Sequence, residues 1–311
     1  MLREAMAGHR ALVLFALACL VGTVATGVQI PIDTTIVNGA PAWHKPCKFF
    51  VSSGIYAFTF AWYLGQGLGP GRTSPARSRV GWWMGTGIWV ALTVELALIA
   101  IQAGRGVSSH FNFTTPLDSA IFATMGVMIL ILTLLHAGLW VGLLRARWPD
   151  RARLAACRWG AGIALLGLAV GGLMVRPSGV QLAEAYAGRP LASGAHAVGV
   201  ADGGAGLPFL NWSTEGGDRR VGHFVGLHAM QVIPAVALLV PLGWPLPASL
   251  AAVRATGMAY AALTALLTLQ AEQARPLLRP GLALTLAVLL TGAGWVVAVA
   301  TVHRRGSTRR H

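Results

Sequence analysis

The stretch Gly81–Gly104, GWWMGTGIWVALTVELALIAIQAG, decides the fold class. It carries one charged residue, Glu95, and about 20 mainly apolar residues are enough to cross about 30 Å of hydrocarbon as a helix. Seven other stretches read the same way, at about Ala11–Val28, Phe49–Gly65, Ala120–Leu144, Gly160–Val175, Gly222–Leu242, Ala255–Gln270 and Leu282–Val302. The fifth and seventh of the eight, in chain order, are short and rich in Gly or Ala. Composition agrees: 55% of the 311 residues are hydrophobic, only 11% are charged, and mean hydropathy is +0.63. A soluble globular surface needs about 25% charged residues, so soluble, disordered and disulfide-stapled classes are excluded. The sequence predicts one integral membrane domain over 1–311, an all-α polytopic bundle of about eight transmembrane helices.

Basic residues set the orientation, because cytoplasmic loops retain an excess of Lys and Arg. With the N-terminus inside, the inner segments hold fifteen basic residues against Glu4 and Asp150, and the outer side holds nine against eight acids. That partition accounts for the formal charge of +14 and places both termini in the cytoplasm. The charge is thus a topology signal and a contact for anionic lipid, and no nucleic-acid partner is expected. Arginine-rich, lysine-poor composition points to a bacterial inner membrane. The first apolar run, with Arg3 and Arg10 before it and Thr23-Val24-Ala25 within it, has features of a signal peptide. Its length to Val28 favours a retained helix. Cys19, Cys47 and Cys157 are spread over separate segments, and no internal disulfide is expected.

The inner connectors Gly69–Ser78 and Arg145–Arg158 hold turn-formers and positive charge. Most Asn, Asp, Glu and His lie in the outer segments Ile30–Lys48, Arg105–Asp118 and Arg176–Val221. Chemistry is therefore expected on the outer face or in the outer leaflet. Ala183–Gly206, Gly- and Ala-rich, reads as a mobile stretch, and Leu207–Arg220 as ordered.

Four constellations carry candidate site residues. Trp43-His44-Lys45-Pro46-Cys47-Lys48 contains both lysines of the chain, against 22 arginines. Where arginine is so preferred, a surviving compact ammonium suits an anion or a carbonyl, although reaching to the interface is the plainer role. Glu95 lies about 15 Å beneath Arg105 along its helix, where a carboxylate is costly and so is a functional candidate. Gln102 and Arg105 share its helix end. The third and fourth constellations, Ser109–Asp118 and Phe209–Asp218, resemble each other: each has Asn (Asn112, Asn211), an aromatic, hydroxyl residues and then an Asp before a helix. Asp118 and Asp218 are expected to cap those helices. Both Asn residues satisfy Asn-x-Ser/Thr, but a bacterial chain is not expected to carry glycans there.

Beyond Asp218 follow Arg219, Arg220, His223, His228 and Gln231, then Pro234, which cannot donate to the Met230 carbonyl and kinks its helix. His44, His110, His223 and His228 near one boundary suit a metal ion or haem, with His110, His223 and His228 as candidate ligands. His136, deeper and nearer the inner side, reads as a packing residue.

Known membrane-enzyme signatures fail. Arg176-Pro177-Ser178-Gly179 is followed by Val180 where a lipid-phosphatase signature needs His, and Gly216-Gly217-Asp218 has no partner aspartate in a helix. His223 and His228 form one histidine box without the others, and HExxH, CxxCH and Gly-rich nucleotide loops are absent.

Three functions remain. One is a metal- or haem-dependent redox or transfer enzyme acting on a lipid-soluble or periplasmic molecule, with Glu95, His44, Lys45 and His228 as catalytic groups. Lys48, Gln102, Arg105, Asn112, Asn211, Arg219, Arg220 and Gln231 would then contact substrate. The second is a proton-coupled transporter or channel using Glu95. The third is a non-catalytic membrane sensor or assembly partner.

Overall fold

Capping residues set the helix boundaries just outside the apolar runs. In the computed structural model, His9 Nδ1 accepts from Leu12 N and opens α2 (Arg10–Ile32). Ser78 does the same for α4 (Arg79–Gly104), and Asp150 for α6 (Arg151–Met174). Helix α5 (Pro116–Arg145) starts with Thr115 as cap and Pro116 in its first turn, where the missing N–H costs nothing. The other long helices are α3 (His44–Gln66), α8 (Arg219–Leu238), α9 (Leu246–Glu272) and α10 (Leu282–Ser307). Two short ones, α1 (Leu2–Gly8) and α7 (Gly179–Tyr186), lie outside the long runs.

The structure describes residues 1–68, 78–189, 192–238 and 244–307. The inner connector 69–77, the end of the sixth expected span at 239–242, and Arg309 and Arg310 lie outside the described residues.

All eight apolar runs are helical over their described residues, and seven helices (α2, α4, α5, α6, α8, α9 and α10) are long and apolar enough to cross a membrane. The chain is an all-α, multi-pass membrane protein by this measure. Helix α3 has 23 residues but a polar N-terminal end with His44, Lys45 and Lys48. The Gly- and Ala-rich fifth and seventh runs are not short as helices, because α6 begins at Arg151 under the Asp150 cap and α9 at Leu246.

Helices α1 to α6 enclose the main core around Phe60, Tyr63, Leu64, Ile88, Leu139 and Leu143, and α6, α8 and α9 share a second one around Ile163, Ile233 and Val253. The largest interface joins α6 to α8. It rests on facing glycines: a methyl group on Gly167 would stand 2.5 Å from the Leu227 nitrogen, and one on Gly226 would stand 2.6 Å from Gly167 Cα. Small residues let backbones approach this closely. Helix α10 packs against α9, and Trp295 Nε1 donates to Thr256 Oγ1.

Connections gather at two ends. At one end Arg158 donates to the Leu143, Leu144 and Ala146 carbonyls, placing a cation on the free carbonyls that close α5. Trp62 Nε1 donates to Glu4 there. At the other end, β1 (Ile36–Val37) and β2 (Ala40–Pro41) form a hairpin whose turn, Asn38-Gly39, has φ of 50° and 71°. Such Asn-Gly pairs suit the tight turn that matches strand twist. The long outer segment is folded in its middle, contrary to the expectation for Ala183–Gly206. Strand β3 (Ala197–Val198) pairs with β4 (Gly217–Asp218), and Ala192 bridges to Asn112. The reason is Asp202: its carboxylate accepts the backbone N–H groups of His196 and Ala197, and one such anion can order a glycine-rich stretch.

Candidate functional site

Glu95 is 2% exposed, on the face of α4 turned into the bundle. The segment between α4 and α5 folds back toward it. Phe111 takes φ of 59°, a left-handed conformation that costs a non-glycine residue about 1–2 kcal/mol. Around that turn two consecutive rings meet the interior, His110 toward Glu95 and Phe111 toward His196. The His110 ring lies among Phe49, Phe111 and Phe122, with centroids 6.0–6.1 Å away.

Three polar side chains from three segments meet there. Lys45, in the first turn of α3, donates to His110 Nδ1 at 3.0 Å, with Ser109 Oγ 3.1 Å from the same nitrogen. On the other edge of the ring, Nε2 stands 3.5 Å from Glu95 Oε1. Burial holds the His110 imidazole well below its usual value, and the Lys45, His196 and His223 charges push it the same way. A neutral ring has one donor and one acceptor nitrogen, so Nδ1 accepting from Lys45 leaves the hydrogen on Nε2, facing the carboxyl group. At 3.5 Å this contact is longer than a good hydrogen bond. Both Glu95 oxygens are buried without a hydrogen-bond partner among the described residues. Lys45, His110 and Glu95 thus stand in a line, 3.0 and 3.5 Å apart, and its Glu95 end has unfilled acceptor capacity.

Beside this line lies a pair that the sequence reading missed. His196 Nδ1 is 2.7 Å from Asp202 Oδ2, and the His196 ring packs edge-on against Phe111 at 5.0 Å. Burial favours the protonated Asp202 carboxyl, yet the His196 ring and the two backbone N–H groups outweigh it and hold the group below the usual carboxylate range.

The remaining expected contact residues mostly brace the loops at the same end of the bundle. Asp118 is the third residue of α5 and not its cap. Its buried carboxylate accepts from Gln102, Arg105 and Thr115, and Arg105 also donates to Gln102 Oε1. Asp218 does sit directly before α8 and accepts from Arg220 N, Arg220 Nη2 and Ser213 N. The two Asp–Arg pairs are alike in role but reached from different directions. Arg219 is committed to Glu272 at 2.6 and 3.0 Å. Asn112 shapes its own turn through Ser108 and Thr114, and Asn211 ties its loop to the Asn38 carbonyl. Lys48 donates to the Leu210 carbonyl at 3.0 Å, so the two lysines part: one enters the Glu95 cluster and the other holds a loop.

The expected metal donors do not gather. His223 Nδ1 is bonded to the Gly167 carbonyl at 2.7 Å, and His228 lies against the Phe224 ring at 4.3 Å. His44 meets Phe209 edge-on, and Gln231 donates to Thr59. Among the described residues no three His, Cys, Asp or Glu side chains are arranged to hold a metal ion. The set His110, His223 and His228 does not fit a shared metal centre, and nothing in their placement supports a haem. His136 is fully buried in the core and is bonded to Tyr56 and to the Ala161 carbonyl. All three cysteines are free and buried.

Fold and site together define a helical membrane protein with a buried acid–base cluster at one end. Compared with known proteins, the chain matches no family model, no curated protein and no solved structure.

Proposed function

We propose that this is a bacterial inner-membrane enzyme, with eight spans and both termini cytoplasmic, that carries out acid–base-assisted transfer chemistry on a lipid-soluble or periplasmic small molecule. Lys45 meets an anionic or carbonyl oxygen of the substrate, His110 passes the proton, and Glu95 is the buried acid that stores it. The carrying observation is the convergence of α3, α4 and the outer segment on one line of groups 3.0 and 3.5 Å apart. A positioned proton-transfer group contributes typically 10²–10⁴-fold, and a site shielded from water strengthens each electrostatic contact within it. The charge asymmetry of the loops supports the orientation.

Proteoliposomes supplied with bacterial lipid and periplasmic extracts, followed by mass spectrometry, test this. The wild type is expected to convert a component, and Glu95→Gln and His110→Ala to slow that conversion by about 100-fold or more. Absence of any conversion, or equal conversion by both variants, contradicts the proposal. Accumulation of an unchanged solute under a proton gradient, lost in Glu95→Gln, would replace the enzyme with a proton-coupled transporter.

A further inference from the structure

We infer that His196, oriented by Asp202, is the outward-facing acid–base group of this site, exchanging a proton between the bound substrate and the outer solution. This deepens the proposed acid–base chemistry and rests on it.

The folding of the long outer segment needs only part of what Asp202 does. Its bonds to the N–H groups of His196 and Ala197 close the turn. The bond at 2.7 Å to His196 Nδ1 is additional, and its effect is on the ring. An ionised carboxylate only accepts, so Nδ1 must carry the hydrogen and Nε2 becomes the basic lone pair. The ring packs edge-on against Phe111 at 5.0 Å, and its backbone is fixed by the bond from Arg219 N to the His196 carbonyl. It nevertheless keeps 15% of its side-chain surface open, and the His110 ring keeps 19%, while Glu95 keeps 3%. Glu95 is therefore sealed while both imidazoles reach the surface, and of the two rings His196 is the one hydrogen-bonded to a carboxylate, which fixes its basic nitrogen. A base carboxylate-fixed in one tautomer is also the arrangement used to activate a substrate hydroxyl or amine.

The proton balance is simple. Nε2 takes a proton from a substrate O–H or N–H, the imidazolium rests against ionised Asp202, and the proton passes to water; the reverse path delivers one. The charged and titratable groups that bear on this ring are Asp202 on its own segment, Arg220 from α8, Lys45 from α3 and His110 from the segment between α4 and α5. Burial, Arg220 and Lys45 disfavour the imidazolium while Asp202 favours it, and burial is the largest of these effects.

In the same proteoliposome assay, His196→Ala is expected to lower conversion about 100-fold, and imidazole in the outer buffer to restore about tenfold of that. Asp202→Asn is expected to shift the pH profile while leaving the dependence on substrate concentration in place. Nitrogen NMR of histidine-labelled protein, with His196→Gln to assign the signal, should show a protonated Nδ1 and a bare Nε2. A wild type that converts nothing removes the proposed function and this inference with it. A converting wild type with an indifferent His196→Ala, a loss that imidazole leaves untouched, or the opposite tautomer removes this inference alone.

Discussion

Pro234 deprives the Met230 carbonyl of its helical donor, and Tyr63 supplies the missing bond: its hydroxyl donates to Met230 O at 2.8 Å, in the core between α3 and α8. Tyr63→Phe should therefore cost about 1–3 kcal/mol, the range for stranding a buried polar group, read as thermal unfolding in detergent. Pro234→Ala restores a backbone donor, so it should help the Tyr63→Phe protein more than the wild type; equal effects in both backgrounds would disprove the pairing. The unmet carbonyl was readable from Pro234, whereas its partner, 167 residues away, was not. Glu95 shows the same limit. A lone acid in an apolar run stands out in any sequence, but no local pattern announces that His110 is its neighbour. His196 and Asp202 were hidden for a different reason, because their Gly- and Ala-rich surroundings have no periodicity and resemble unstructured chain.

For the elements, hydrophobic length located the eight long helices and misjudged their ends, while the short α1 and α7 carried no such signal. Spans measure hydrocarbon, while helices run on into the interface until a cap such as Ser78, Thr115 or Asp150 starts them. The hairpin Val37-Asn38-Gly39-Ala40 had a legible signal in its Asn-Gly pair. Glycine in the fifth run reflects contact and not weakness, since Gly167 and Gly226 let α6 and α8 touch. Gly167→Val should destabilise the bundle by about 1–3 kcal/mol or more through overpacking. Gly172→Ala on the same helix, with open space around it, should be neutral. Equal tolerance of both substitutions, measured by thermal melts, would disprove this packing.

Across the whole molecule, the sequence places most Asn, Asp, Glu and His in the segments expected outside and most arginine in those expected inside. The sorting has a pH consequence. His110 and His196 are held below the free imidazole value, by burial first, with Lys45 acting on both and Asp202 partly opposing at His196. Unfolded imidazoles bind protons near pH 6.5, so below that value the unfolded chain binds more protons than the folded one, and stability rises with pH. The melting temperature should hold steady above about pH 6.5 and fall as the pH drops beneath it. His110→Gln and His196→Gln should each flatten that fall, and a wild-type profile level down to pH 5 would contradict the burial of neutral rings. The central claim is that Glu95, His110 and Lys45 act as one proton-exchanging unit, and infrared titration of the protein in bilayers tests it most directly. A carboxyl band missing from Glu95→Gln, with a midpoint that moves in both His110→Phe and Lys45→Met and stays put in His228→Ala, is the predicted result. A Glu95 band indifferent to His110 and Lys45 would contradict it.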